Sequence, residues 1–90
     1  MQQEQAETIA LRAVAYIMGE EDLSARFLAM TGMDGQDIKG RIGDPAFLGA
    51  VLDYLLGFEP DLMAFSQWAE LPPETIVRAR HALPGVNPDW

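Results

Sequence analysis

The chain has 90 residues, fourteen acidic against six basic side chains, a formal charge of −8, 49% hydrophobic residues and no cysteine. That length and apolar content suit one domain with a core, large enough to fold alone and too small to enclose a large cavity, so a ligand site is expected to be a shallow groove. Lack of cysteine excludes disulfides, thiolate metal sites and a cysteine nucleophile, while the acidic excess repels phosphate backbones and anionic lipid.

The polar start MQQEQAE has neither the basic nor the apolar region of a signal peptide, and no apolar run approaches the ~20 residues of a membrane helix. The expectation is therefore a cytoplasmic protein with no membrane partner. Along the chain, Gly or Pro punctuates nearly every break in the apolar pattern. A first helix is predicted from about Glu4 to Met18, with Ile9, Ala13, Tyr16 and Ile17 on one face, a second stripe of Leu11, Val14 and Met18, and Gly19 as its stop. A helix apolar around so much of its girth belongs at the centre of a bundle.

Glu20, Glu21 and Asp22 supply negative charge and a cap for a second helix that ends at Thr31, before Gly32, with Leu23, Phe27 and Met30 inward. Asp34 caps a short third helix through about Ile42, in which Asp37 and Arg41 are spaced as an ion pair. Asp44-Pro45 opens a fourth helix, closed by Gly57, whose core set is Phe47, Leu48, Val51, Leu52, Leu55 and Leu56. Glu59-Pro60 uses the same cap-then-proline grammar for a fifth helix to about Glu70, with Leu62, Phe65 and Ala69 on one side and Trp68 near its end. After Leu71-Pro72-Pro73-Glu74 a sixth helix carries Ile76, Val77, Ala79 and Leu83 until Pro84-Gly85 stops it.

No alternating run long enough for a strand survives. The expected fold is all-α, a compact bundle of about six short helices with no sheet, one domain over 1–90 with residues 1–5 and 86–90 frayed. The stretches LSARFLAMTGMDGQDI and LMAFSQWAELPPETI share a loose pattern of helix, turn and acidic-capped helix, which any antiparallel helical hairpin would show.

Chemistry has few candidates. His81 is the only histidine, so a metal site would need carboxylates for its other ligands, and no cluster is spaced to provide them. Ser24 and Ser66 lie inside predicted helices, without a nucleophile elbow or a nearby base. The acids around Asp34 fail the calcium-loop pattern, since the positions that should carry acids hold Gln36, Ile38 and Pro45. No phosphate-binding loop is present. No enzyme activity, catalytic residue, metal or cofactor is expected.

Two surfaces remain as partner-binding candidates. Tyr54, Phe58, Trp68 and Trp90 are aromatics that could anchor a partner if exposed, the ordinary alternative being that they complete the core. Arg78, Arg80 and His81 form a basic patch at the end of the sixth helix, where a favourable helix-dipole interaction is the simpler explanation. The leading expectation is a protein–protein interaction module with an unidentified protein partner. A symmetric homodimer is a further way to cover surplus Met18, Met30, Met33 and Met63, opposed by the charge of each chain. A helix-turn-helix-like nucleic-acid-binding protein using the sixth helix is the alternative. The charge balance disfavours it.

The segments E-T-I-A-L-R-A-V-A-Y-I at 7–17, R-F-L-A-M-T-G-M-D at 26–34, D-P-A-F-L-G-A-V-L-D-Y-L-L at 44–56 and R-A-R-H-A-L-P-G at 78–85 together resemble the bacterial, mostly alphaproteobacterial, family catalogued as domain of unknown function 3572. The resemblance spans roughly Glu7 to Gly85 and implies a free-standing domain. It brings no activity, cofactor or catalytic residue to carry over. Most of the matching positions fall in the expected core, which leaves Asp34, Asp53, Arg78 and Arg80 as the polar positions to examine first.

Overall fold

In the computed structural model, which describes residues 1–85, six helices follow one another: α1 (Gln3–Gly19), α2 (Glu21–Thr31), α3 (Gly35–Arg41), α4 (Pro45–Leu56), α5 (Glu59–Ala69) and α6 (Pro73–His81). The described residues contain no strand. Trp90 and the tail from residue 86 lie outside them. No described helix is long and apolar enough to cross a membrane.

α1 is central, packing against α2, α4, α5 and α6, and its contact with α4 is the most extensive. The stripe that makes this possible is Ala6, Ile9, Ala10, Ala13 and Ile17, all buried. Three alanines in one stripe let neighbouring backbones approach closely, which commits α1 to a single inward face. Leu11 and Met18, expected as part of a second buried stripe, are exposed as a result.

α4 behaves as its sequence predicts. All six of its large apolar residues are buried, Leu52 and Leu55 completely, against α1, α5 and α6. Asp44 caps it by accepting the Ala46 N–H at 3.0 Å. Gly49, also on α4, is needed for a close approach: a Cβ there would stand 2.9 Å from the Pro84 carbonyl oxygen and 3.1 Å from Arg80 Nη1.

Several local expectations are corrected. α1 begins at Gln3, one residue before the predicted Glu4, and the Gln5 side chain accepts the Gln2 N–H at 3.2 Å. Glu20 precedes α2 but makes no side-chain cap, as its longer side chain is poorly suited to that position. Met30 on α2 points outward and is 74% exposed. Asp34 caps α3 as expected, but Asp37 does not pair with Arg41; its carboxylate turns back to accept the Asp34 N–H at 3.0 Å, completing a capping box. In α5 the N-cap is Phe58, with Glu59 and Pro60 already in the first turn. α6 ends at His81, so Leu83 fills the core from the segment after the helix.

α2 ends with Gly32 in the left-handed conformation at φ 72°. α5 ends the same way at Glu70, φ 57°, without glycine. There the Leu71 N–H donates to the Ser66 carbonyl at 3.0 Å, the Ser66 hydroxyl donates to the Leu71 carbonyl, and Arg12 of α1 donates to the Ala69 carbonyl at 3.0 Å. An arginine from the central helix thus satisfies an end carbonyl of its neighbour.

Candidate functional site

A trough runs between the end of α2, the turn that follows it and one face of α4. Its apolar lining includes Phe27 and Met30 of α2, Met33 of the turn, and Phe47 and Tyr54 of α4. Its volume is about 560 Å³. Ala46 and Ala50, one turn apart on α4 and both exposed, keep the trough open because neither side chain reaches across it. Tyr54 is half-buried and meets Phe27 edge-on, the ring centroids 5.1 Å apart. Polar groups stand at the ends: Arg41 and Asp44 at one, Asp53 at the other. Asp44 and Asp53 are nine residues apart on the α4 register, about 13 Å along the axis at the rise of an α-helix.

Behind Asp53 lies a buried cation. Arg80 is 1% exposed, and its Nε donates to Asp53 Oδ1 at 2.6 Å. Its Nη1 donates to the carbonyls of Leu83 at 3.2 Å and Pro84 at 3.4 Å. Asp53 therefore borders the trough on one side and pairs on the other with Arg80, which holds the segment after α6. The absent side chain of Gly49 leaves room for this arrangement.

Three of the aromatics singled out from sequence, Tyr54, Phe58 and Trp68, occupy separate places. Tyr54 lines the trough. Phe58 is 50% exposed in the turn before α5, under the Arg26 guanidinium at 5.8 Å from the ring centroid. Arg26 also makes a two-pronged ion pair with Asp61, both contacts 3.3 Å, and this hydrogen bonding to the charged form is the main reason its pKa is raised. Trp68 is 52% exposed on α5, among Tyr16, Phe65 and Arg12. The Tyr16 hydroxyl is pushed above its ordinary pKa first by desolvation and then by the nearby charges of Glu20 and Asp61.

Arg78 and His81 border a separate cleft at the end of α6 with Val77, Ala82 and Met1. Arg80 is not part of that surface: the 3.6-residue turn sends it inward, beside Ile76 and Ala79, while its two basic neighbours stay outside. The trough itself was missed. Its signal in the sequence is the Ala46/Ala50 pair facing Met30 and Met33, two small residues opposite two flexible ones, and that juxtaposition exists only once α2 and α4 are brought together.

Among the described residues no group of three or more histidine or carboxylate side chains is placed to hold a metal ion. In comparison with known proteins, a family model described as "Protein of unknown function (DUF3572)" matches residues 3–86. No curated protein and no solved structure matches the chain.

Proposed function

The chain belongs to the protein family of unknown function DUF3572, and we propose that it serves as a protein–protein interaction module that docks a segment of another protein in the α2–α4 trough. The observation that carries this reading is Met30, a large apolar side chain 74% exposed on the wall of an open, aromatic-floored depression. Isolated exposed apolar residues are common on monomers, whereas one that borders a concave apolar surface is placed to close over a ligand. Methionine and half-buried aromatic rings suit such work because they bring large contact areas and can repack around different shapes. In this reading the protein acts in the cytoplasm, performs no chemistry of its own, and uses Tyr54 as the aromatic anchor at the Asp53 end.

The nucleic-acid alternative loses ground. Burial of Arg80 leaves Arg78 and His81 as the exposed basic pair of α6, set in a chain of charge −8.

The test replaces Met30 with a photo-crosslinking amino acid in the native cell, with the same probe at Arg78 as a remote control. A discrete adduct expected from position 30, absent from position 78, and lost when Ala50→Trp fills the trough supports docking. Adducts of the same pattern from both positions, or an adduct that survives Ala50→Trp, would overturn it.

A further inference from the structure

Sulfur is gathered at the trough. The chain has five methionines and no cysteine, so thioethers are the only sulfur an oxidant meets and no thiol competes for it. Two of the five, Met30 and Met33, line the trough, and Met18 and Met63 do not. Met30, in the last turn of α2, is 74% exposed, against 37% for Met18, 42% for Met63 and 44% for Met1. A thioether reacts only where an oxidant can reach its sulfur, so the order of exposure is also an order of susceptibility. Hydrogen peroxide is uncharged, and the field of a chain of charge −8 leaves its approach free while repelling anionic oxidants.

We propose that Met30 is an oxidation site, and that its conversion to the sulfoxide by a peroxide switches the trough from apolar to polar. In that step a sulfur lone pair takes one oxygen atom of hydrogen peroxide, the O–O bond breaks, and the other oxygen leaves with both protons as water. Sulfur loses two electrons and the peroxide gains them. The flexible apolar side chain becomes a polar, chiral one. Because Met30 stands at the rim, its oxygen enters solvent and the helices stay packed. A ligand docked against that wall would strip water from the new S–O group and offer it only apolar contact, which lowers affinity. This rests on the docking role proposed for the trough and adds its regulation, which is reversible because methionine sulfoxide reductases restore the thioether.

The test treats the full chain with hydrogen peroxide, follows sulfoxide at each methionine by peptide mass mapping, and titrates the neutral apolar dye Nile red as the trough probe. Met30 is expected to reach half conversion about twofold sooner than Met18 or Met63, in proportion to exposure. At that stage far-UV circular dichroism should be unchanged and dye affinity of the oxidised fraction lower by about threefold or more. Met30→Leu, apolar and inert to peroxide, is expected to keep dye binding and lose most of the response, whereas Met63→Leu keeps both. Conversion of Met18 or Met63 as fast as Met30 overturns the site. Unchanged dye affinity after Met30 is oxidised, in a chain whose dye binding Ala50→Trp abolishes, overturns the switch and leaves the docking site standing. Dye binding that survives Ala50→Trp overturns the docking reading and the switch with it. Loss of helical signal as Met30 is oxidised makes it a packing residue and overturns the inference.

Discussion

The Asp53–Arg80 pair predicts an asymmetry that depends on which partner is removed. Arg80 is 2% exposed by side chain and Asp53 is 33% exposed. Asp53→Ala leaves the buried guanidinium without the counter-charge held at 2.6 Å by Nε, still donating to the Leu83 and Pro84 carbonyls. Breaking a fully buried pair costs about 3–5 kcal/mol, and the partial exposure of Asp53 reduces that to ~2–4 kcal/mol. Arg80→Met is milder. The orphaned carboxylate can hydrate and the thioether stem keeps apolar contact, so losing the guanidinium donors, those to the Leu83 and Pro84 carbonyls among them, costs ~0–2 kcal/mol.

Against a total stability of ~5–13 kcal/mol for a domain of this size, these differences are measurable. At ~4–8 °C per kcal/mol, Asp53→Ala should lower Tm by about 10–30 °C and Arg80→Met by no more than about 15 °C. Thermal unfolding followed by circular dichroism, with urea titration as a check that both variants unfold in two states, measures the order directly. If Arg80→Met is the more damaging variant, burial of the cation is not what sets the cost, and the account of this pair is wrong.

Leu52→Ala, at a fully buried α4 position, should cost ~2–5 kcal/mol, whereas Met30→Ala should stay within about 0.5 kcal/mol; comparable losses in urea unfolding would place Met30 in the core. Asp44→Ala should cost ~0.5–2 kcal/mol through the lost bond to the Ala46 N–H, and Asp44→Ser should restore most of it. Tyr16 contributes a pH dependence of definite sign. Its folded-state pKa is raised above 10.0, so between those two values the native state holds a proton that the unfolded state releases, and stability falls as pH rises through that window. Tyr16→Phe should flatten that part of the stability profile above about pH 10 and leave the profile near neutrality unchanged in shape.

The helices were legible in the sequence because their signals are local. Asp34, Gly32 and Asp44-Pro45 act through backbone groups within a few residues, and the structure uses each as the sequence predicts. The core of α4 was legible too: six large apolar residues cover too much of its girth to face only one neighbour, so several helices had to surround it. Local signals failed where two roles compete for one side chain. Asp37 could pair with Arg41 or close the capping box, and the backbone N–H of Asp34, fixed at the helix start, was the nearer partner.

What only tertiary structure decided is which of several apolar or charged residues of equal promise faces inward. The periodicity of α1 offers two stripes, and the one rich in alanine won because it lets α4 and α6 approach; Leu11 and Met18 were left outside. Arg80 reads in sequence as one of three basic neighbours on α6. Its burial depends on a carboxylate 27 positions earlier and on the space left by Gly49, neither of which any pattern within α6 can signal. The trough has the same origin. Met30 and Ala50 belong to different helices, and a concave surface is a relation between helices, so it came into being only when packing through Phe27, Ile38 and Phe47 fixed α2 and α3 against α4.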